Sequence, residues 1–262
     1  MLENLKPISG SHSVNRAVIT LFLPQEIIKP EKVLERINSE VHFTSKYKRR
    51  VLIKSKVLRI SNEKNELSVT DKSINDSATG IILEQFDESG KIENVIILRN
   101  EDNKSIITFE TRNYVRWVNF YSRFIEDFTE LTKENEFYFE AISLTYIDEF
   151  IWFSDEYIPV NEIFEKNSEL INSKFLKSKN GTIVLFSQNE NLNIEEKTEI
   201  SFNNELKRIQ IIHQHATKFK SLFDIDTFKD RSEDILNVAH ISNKETLKDL
   251  LSQTVKEKIN LN

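Results

Sequence analysis

The sequence predicts an α+β fold with largely antiparallel sheet and packing helices. Predicted strands arrive in runs and do not alternate strictly with helices, which favours antiparallel pairing over a doubly wound parallel sheet. The 262 residues include only 4 Gly and 4 Pro and are 39% hydrophobic, as expected for regular structure around a core. The order of elements leaves open two similar α/β halves or one continuous domain. The halves would be a β-α-β-meander half, 1–112, and an α-β half, 113–262.

The N-terminal half begins with a strand and a helix. Residues 15–23 are rich in β-branched and apolar residues and are followed by Pro24, which predicts a strand. Pro30 suits the first turn of a helix. The apolar residues of this helix recur at helical spacing: Val33, Leu34, Ile37 and Val41. Residues 46–60 then read as a further strand. Three short strands joined by Asp, Asn and Gly turns predict an antiparallel meander, over 79–85, 92–98 and 106–110.

A helix over residues 113–133, with Asn113 as its N-cap, and a strand over 137–152 are the strongest local signals. The apolar residues of the helix form a stripe about 100° wide: Trp117, Phe120, Tyr121, Phe124, Phe128 and Leu131. The strand is rich in aromatic and β-branched residues and has apolar side chains on both faces. This pattern predicts a central strand that is covered on both sides.

The remaining elements are predicted from shorter patterns. Residues 160–175 have roughly helical spacing, and the chain from residue 232 to the C-terminus is predicted as helix. Asn203 and Asn204 indicate a tight turn between strands, and Asp224 and Asp226 are interpreted as residues of a strand end. Three strands are expected in this region, over 182–187, 192–202 and 206–219.

Two stretches resemble motifs of a known family. The pattern Y-x-x-W-x-x-F falls at Tyr114, Trp117 and Phe120, and S-L-T-Y-I-D-E-F runs from 143 to 150. Together they resemble a sporadically distributed family of uncharacterised bacterial proteins of similar length. Members of that family commonly carry L-R-Y-I-N-x-I in the strand, and here Thr145 and Asp148 stand in place of the Arg and the Asn.

The C-terminal pattern of that family also has counterparts in this chain. They are I-D-T-F at 225–228, the pair Ala239 and His240, and an apolar helix at 247–251. The resemblance implies a fold and carries no established activity. The sporadic distribution of the family implies genes that travel with bacterial defence or toxin–antitoxin loci.

Composition limits the functional classes. A net charge of −6 gives no global attraction to nucleic acid or to an anionic membrane. The absence of cysteine excludes disulfides and thiolate metal sites and fits a reducing compartment. No apolar run reaches the ~18 residues of a membrane span, and no signal peptide is recognised. We therefore expect a protein of the bacterial cytoplasm.

Residues 46–59 form the most basic segment. Lys54, Lys56 and Arg59 are interspersed with apolar residues in its second part, as on a half-exposed strand. Such a segment suits a phosphate-binding edge for nucleic acid, and equally suits a solvated strand whose charges prevent edge pairing. The candidate nucleic-acid-binding residues are Lys46, Lys48, Arg49, Arg50, Lys54, Lys56 and Arg59.

No motif identifies a reaction. The sequence contains no glycine-rich phosphate loop and no G-x-S-x-G. His213 and His215 are two apart on a predicted strand, which is the arrangement of a Zn or Fe ligand pair. Because the sequence indicates no third ligand, a semi-buried strand face is the alternative. Carboxylates near the end of the 137–152 strand suit either Mg²⁺ binding or ordinary turns: Asp148, Glu149, Asp155 and Glu156. His240 is given no role.

The leading hypothesis is a non-enzymatic binding or regulatory protein that has a protein partner or self-associates, with no cofactor and no membrane contact. One alternative is a nucleic-acid-binding protein that uses the basic segment. The other is a metal-dependent nuclease or hydrolase. Its residues would come from Asp148, Glu149, Asp155, Asp226, His213 and His215.

Overall fold

The computed structural model describes residues 2–27, 29–54, 59–63, 66–70, 78–101, 103–134 and 136–261, with backbone alone for 59–63 and 66–70. The elements in chain order are β1 (Leu5–Pro7), β2 (Val14–Leu23), α1 (Pro30–Ser39), α2 (Val41–Lys46), β3 (Arg49–Lys54), β4 (Arg59–Glu63), β5 (Glu66–Thr70), β6 (Ala78–Phe86), β7 (Ile92–Glu101), β8 (Lys104–Thr111), α3 (Trp117–Thr132), β9 (Phe139–Trp152), α4 (Val160–Ile163), α5 (Ser173–Leu176), β10 (Gly181–Asn189), β11 (Ile194–Asn203), β12 (Arg208–Phe223), α6 (Ile225–Leu250) and α7 (Gln253–Lys258). The α+β class with antiparallel strand pairing is confirmed.

The chain forms two compact units. Unit 1 comprises Met1–Phe22 and Phe109–Asn262, and unit 2 comprises Leu23–Thr108. These bounds differ from the expected halves 1–112 and 113–262. The physical reason is that β2, near the start of the chain, pairs with β9, so that Ile19 lies opposite Leu144. This pairing places the first 22 residues in the same unit as the C-terminal part of the chain.

The sheet of unit 1 has the strand order β10-β11-β12-β9-β2, with β1 beside the end of β9. Side chains alternate between a buried face and a partly exposed face, as the pleat of a half-solvated antiparallel sheet requires. On β9, Leu144 is buried on one face. On the other face Ser143 and Glu149 are buried, whereas Thr145 and Ile147 are partly exposed. The strand is therefore covered on one side and only in part on the other, and its predicted position inside the sheet is confirmed.

Helix α3 is confirmed as an amphipathic helix in the core of unit 1. It begins at Trp117 and not at Asn113, because the backbone of Arg116 is still extended at the N-cap. Phe124 and Phe128 are buried, and the ring of Phe128 lies 4.8 Å from that of Phe228 on α6. Trp117, at the first turn, is only half-buried.

Helix α6 begins earlier than predicted, at Ile225. The Asp224 carboxylate accepts a hydrogen bond from the amide of Thr227 at 2.8 Å, which is the geometry of an N-cap. Asp226 lies in the first turn of the helix. The interpretation of Asp224 and Asp226 as residues of a strand end is therefore wrong.

The segment 160–175 is not the single helix that its spacing predicts. It contains two one-turn helices, α4 and α5, and Asn172 caps the second by accepting from the amide of Phe175 at 2.9 Å. Both turns pack into an apolar cluster with Leu247 and Leu250 of α6 and Val255 of α7. The last turns of α6 are therefore anchored to the sheet by apolar contacts.

Unit 2 contains α1, α2 and an antiparallel sheet in which β3, β6 and β7 are successive neighbours and β8 follows β7. The predicted meander is confirmed as β6, β7 and β8. The basic segment is partly helical, since Lys46 ends α2 and the strand β3 begins only at Arg49. Among the described helices of the chain, none is long and apolar enough to cross a membrane.

Candidate functional site

The middle of helix α6 covers a polar area of the unit 1 sheet. On the N-terminal side of this area the helix packs through the buried side chains of Phe228 and Leu236. On its C-terminal side it packs through those of Leu247 and Leu250. The strand register places Thr198 opposite His213 and His213 opposite Tyr146, so these side chains share one face. We call the group the α6 polar cluster. Its members are Tyr146, Asp148, Glu196, Thr198, His213, His215, His240, Ser242 and Asn243.

His213 and His215 lie on the same face of β12, as predicted, and both are buried. Nδ1 of His213 is 3.0 Å from the hydroxyl of Thr198, and its Nε2 is 3.4 Å from that of Ser242. Nδ1 of His215 donates to Glu196 Oε1 at 2.8 Å, and the Ser242 hydroxyl donates to the same oxygen. The two histidines therefore belong to one hydrogen-bonded network of strands and helix.

The ionisation of this network is fixed by burial and hydrogen bonding. Burial lowers the pKa of His213 to about 4, so the ring is neutral at pH 7. The hydrogen bond from His215, together with that from Ser242, lowers the pKa of Glu196 to about 2. At neutral pH, Glu196 is thus the anion that His215 and Ser242 surround.

His240, which the sequence left without a role, joins α6 to both α3 and β9. Its Nδ1 is 2.9 Å from the hydroxyl of Tyr146, and its ring stacks on Trp117 with centroids 5.0 Å apart. Trp117 in turn donates from Nε1 to Asn237 Oδ1 at 2.6 Å. The pKa of His240 is lowered to about 4, mainly by burial.

The motif residues behind the family resemblance converge here. Tyr114 lies with its hydroxyl 3.5 Å from that of Tyr146, and its ring meets that of Tyr146 edge-on at 5.6 Å. The ring of His240 contacts both Trp117 and Tyr146. These residues therefore form a packing centre where α3, β9 and α6 meet, a relationship that spacing along the chain does not reveal.

Asp148 is a fully buried carboxylate at the edge of the cluster. Oδ1 accepts a hydrogen bond from Ser13 at 2.6 Å, while Oδ2 has no partner among the described residues. Burial raises the pKa of Asp148 to about 6, and Ser13 and the facing side chain of Asn243 offset part of this rise. Asn243 is also buried, and its Nδ2 likewise has no partner within hydrogen-bond distance in the described chain.

The acidic residues near the end of β9 do not form one site. Glu149 points to the opposite face from Asp148, where it accepts from Asn15 at 2.7 Å and pairs with Arg208 at 2.6 Å. Asp155 and Glu156 lie in the exposed turn that follows. The interpretation as turn acids therefore fits Asp155 and Glu156 and is wrong for Asp148 and Glu149, which are buried inside the strand.

The described residues contain no group of three or more His, Cys, Asp or Glu side chains that could hold a metal ion. The Nδ1 atoms of His213 and His215 are directed to Thr198 and Glu196, whereas Nε2 of His215 has no partner among the described residues. Histidine nitrogens engaged in this way position the strands and the helix relative to one another. The network supports a structural role for the histidine pair.

The basic segment of unit 2 divides its charges between two faces. Arg49 and Arg50 are adjacent on β3, so their side chains point in opposite directions. Arg49 pairs with Glu84 of β6 at 2.8 Å, and Arg50 donates to Asn38 of α1 at 2.7 Å. Both guanidinium groups are therefore engaged within unit 2.

The other predicted nucleic-acid contacts are spread along the same segment. Lys46 ends α2, Lys48 lies between α2 and β3 with its ammonium 3.5 Å from the carbonyl of Thr44, and Lys54 ends β3. Lys56 lies outside the described residues, and the side chain of Arg59 does too. The nucleic-acid interface thus stays a prediction.

Strand β10 is a feature that the sequence did not single out. It is the outermost strand of unit 1, and its nine residues, G-T-I-V-L-F-S-Q-N, carry no charge. Val184 and Phe186 are 54% and 65% exposed on the face away from α6. The β-branched and apolar residues of 182–187 predict a strand, but an edge position depends on pairing with distant residues. The available signal was the lack of any charge in the strand.

A comparison with models of known protein families and with curated proteins finds no match for this chain. The family resemblance of the motifs thus stays a prediction.

Proposed function

We propose that the protein is a non-enzymatic binding protein whose protein partner adds a strand to the outer edge of β10. The single observation that supports this proposal is the long, uncharged and apolar edge that β10 presents. An unpaired edge exposes a row of backbone N–H and C=O groups that can pair with another strand. Strand addition uses these groups for affinity and the alternating side chains for specificity.

The contrast with β3 strengthens this proposal. β3 is the outer strand of the unit 2 sheet, and it carries Arg49, Arg50 and Lys54. Charged residues on an edge are a common means of preventing unwanted pairing. β10 carries no charged residue and no proline. A chain that protects the edge of β3 with charges and leaves the edge of β10 apolar is expected to bind a partner at β10.

The α6 polar cluster supports the non-enzymatic part of the proposal. Its anion, Glu196, is held by His215 and Ser242, and its neutral histidines bond to Thr198 and Tyr146. A catalytic base needs a reacting group within hydrogen-bond reach. The hydrogen bonds of these groups run between elements of the fold, as in a network that fixes the helix on the sheet.

Photo-crosslinking in bacterial cells that produce the protein tests the proposed function. A photo-crosslinking amino acid in place of Phe186 is expected to give a covalent adduct with a protein, including a second copy of this chain. The same amino acid in place of Val118, which is 68% exposed on α3, is the control and should give none. Position 186 failing to give any adduct, at cellular or at high concentration, would contradict a binding role for this edge.

The metal-dependent nuclease or hydrolase is the competing function, and elemental analysis separates it from the binding function. We expect purified protein, loaded with Zn²⁺ or Fe²⁺ and then desalted, to retain less than about 0.1 metal ion per chain, because a protein site for these metals needs three or four ligands. One ion per chain that is lost in His213→Ala and retained in His12→Ala would support the hydrolase instead.

Two further features belong to the proposed function and rest on sequence alone. They are a location in the bacterial cytoplasm and a setting in a defence or toxin–antitoxin locus. The cysteine-free composition supports the first. The motif resemblance supports the second, and the partner at β10 would then be encoded in the same locus or be this chain itself.

A further inference from the structure

We infer that the occupant of the β10 edge is a second copy of this chain, paired antiparallel about a two-fold axis that passes through Leu185. This inference rests on the proposed function, since it names the partner of the same edge. Two-fold dimers are the commonest assemblies of identical chains, and they require a surface that is complementary to itself. β10 fulfils this requirement in its length, its side chains and its neighbouring charges.

The register follows from the length of the strand. β10 runs from Gly181 to Asn189, so Leu185 is its central residue. Antiparallel pairing centred on Leu185 places Gly181 opposite Asn189 of the second copy and uses all nine residues of the strand. A register centred on any other residue leaves backbone groups of β10 unpaired.

The same register matches the side chains. Val184 lies opposite Phe186 of the second copy, and the two-fold axis repeats this pair on the same face. Val184 and Phe186 are the two large apolar side chains that β10 exposes on that face. Leu185, half-buried on the other face, meets its own copy at the axis. Cross-strand pairs of aromatic and β-branched residues are among the stabilising pairs of antiparallel sheets.

The charges on the adjacent strand are compatible with this arrangement. Glu199 lies beside Val184 and Lys197 beside Phe186 on β11, and the two ions are 3.6 Å apart. In the dimer, each row of side chains across the four central strands contains Glu199 and Val184 of one copy, followed by Phe186 and Lys197 of the other copy. Each row thus ends in opposite charges, and no like charges oppose each other across the two-fold axis. A different partner with a charged strand would find no opposite charge on β10, because β10 has no charged residue.

Charge-exchange variants of β10 test the inference by light scattering after size-exclusion chromatography. Wild-type protein is expected to be a dimer at micromolar concentration. Val184→Lys combined with Phe186→Lys places two like-charged pairs across the interface and should raise the dissociation constant about 100-fold or more. Val184→Lys combined with Phe186→Glu places Lys opposite Glu twice and should restore the dimer. Circular dichroism confirms that each variant is folded.

Single cysteines test the register, because the chain has none of its own. Directly opposed Cα atoms of an antiparallel pair are about 4.5–5.5 Å apart, which a disulfide can span. Leu185→Cys is therefore expected to form a disulfide-linked dimer on mild oxidation. Ser187→Cys, on the same face of the same strand, pairs with Ile183 of the second copy and is displaced from its own copy by about 13 Å along the strand. It should stay unlinked.

Three results would overturn the inference: a wild-type monomer at about 100 µM, a dimer that survives the double-lysine change, or equal linkage of both cysteine variants. A monomer whose position 186 still crosslinks to a different protein would remove the second copy as the occupant and leave the proposed binding function standing. A monomer with no adduct would remove both.

Discussion

Replacing Phe128 by Ala is expected to destabilise unit 1 by about 3–5 kcal/mol, because truncating a buried phenylalanine loses its transfer free energy and leaves a cavity. Phe128 is fully buried. Its ring lies 5.8 Å from that of Phe124 on the same helix, 5.6 Å from Phe139 on β9 and 4.8 Å from Phe228 on α6. One side chain therefore joins three elements, and relaxation of any one of them cannot fill the space.

Denaturant unfolding followed by tryptophan fluorescence measures this effect in unit 1 alone. The chain has two tryptophans, and both Trp117 and Trp152 belong to that unit. Val118→Ala is the matched control on the same helix, since its side chain is 68% exposed and its loss should change the free energy of unfolding by less than about 0.5 kcal/mol. Equal destabilisation by the two variants would contradict the described packing of α3.

The aromatic stripe of α3 could be predicted from sequence because it depends on local periodicity. Phe120, Phe124 and Phe128 recur on one side of a helix, and the structure buries all three. Trp117 has the same spacing and is only half-buried. The difference arises from its place in the first turn, where it covers His240 of α6 and does not enter the sheet core. The helical pattern cannot reveal that neighbour.

The α6 polar cluster could not be predicted, because it depends on pairing between distant segments. Tyr146 and His240 are 94 residues apart in sequence, and His213 meets Tyr146 only through the register of β12 on β9. Asp148 and Glu149 lie inside the strand that the sequence itself predicts over 137–152, but their acidity favoured an interpretation as turn residues. Their burial depends on the pairing of β9 with β2 and β12, which the pattern along the chain does not show.

Replacing Asp148 by Asn is expected to stabilise unit 1 by about 2 kcal/mol at pH 7.5 and to have little effect near pH 4. The pKa of Asp148 is about 6 in the folded chain, well above the ordinary value for a carboxyl group. A rise of about two pKa units corresponds to roughly 3 kcal/mol of cost for ionising the group inside the fold. Asn has the same shape, can accept the bond from Ser13, and carries no charge to bury.

The direction of the pH dependence follows from which state holds the proton more tightly. The folded protein binds the proton of Asp148 more tightly than the unfolded chain, so this group stabilises the fold below about pH 4 and loses that contribution as pH rises through about 6. The pKa values of His213 and His240 are lowered to about 4, so these groups act in the opposite direction. The stability that these two groups contribute to the fold is fully present above about pH 6.5 and is lost as pH falls towards 4.

Wild-type stability therefore rises less between pH 4 and 6.5 than the two histidines alone would make it rise, because Asp148 offsets part of their effect. In Asp148→Asn the offset is gone, and the free energy of unfolding should rise more steeply between pH 4 and 6.5 than it does in wild type. Denaturant midpoints at pH 4.5, 5.5, 6.5 and 7.5, again by tryptophan fluorescence, measure the difference in slope. Asp155→Asn removes the same charge from an exposed turn and should leave the slope unchanged. A loss of stability in Asp148→Asn at pH 7.5 would instead mean that the ionised carboxylate is held by a favourable partner, and the buried cost assigned to it would be wrong.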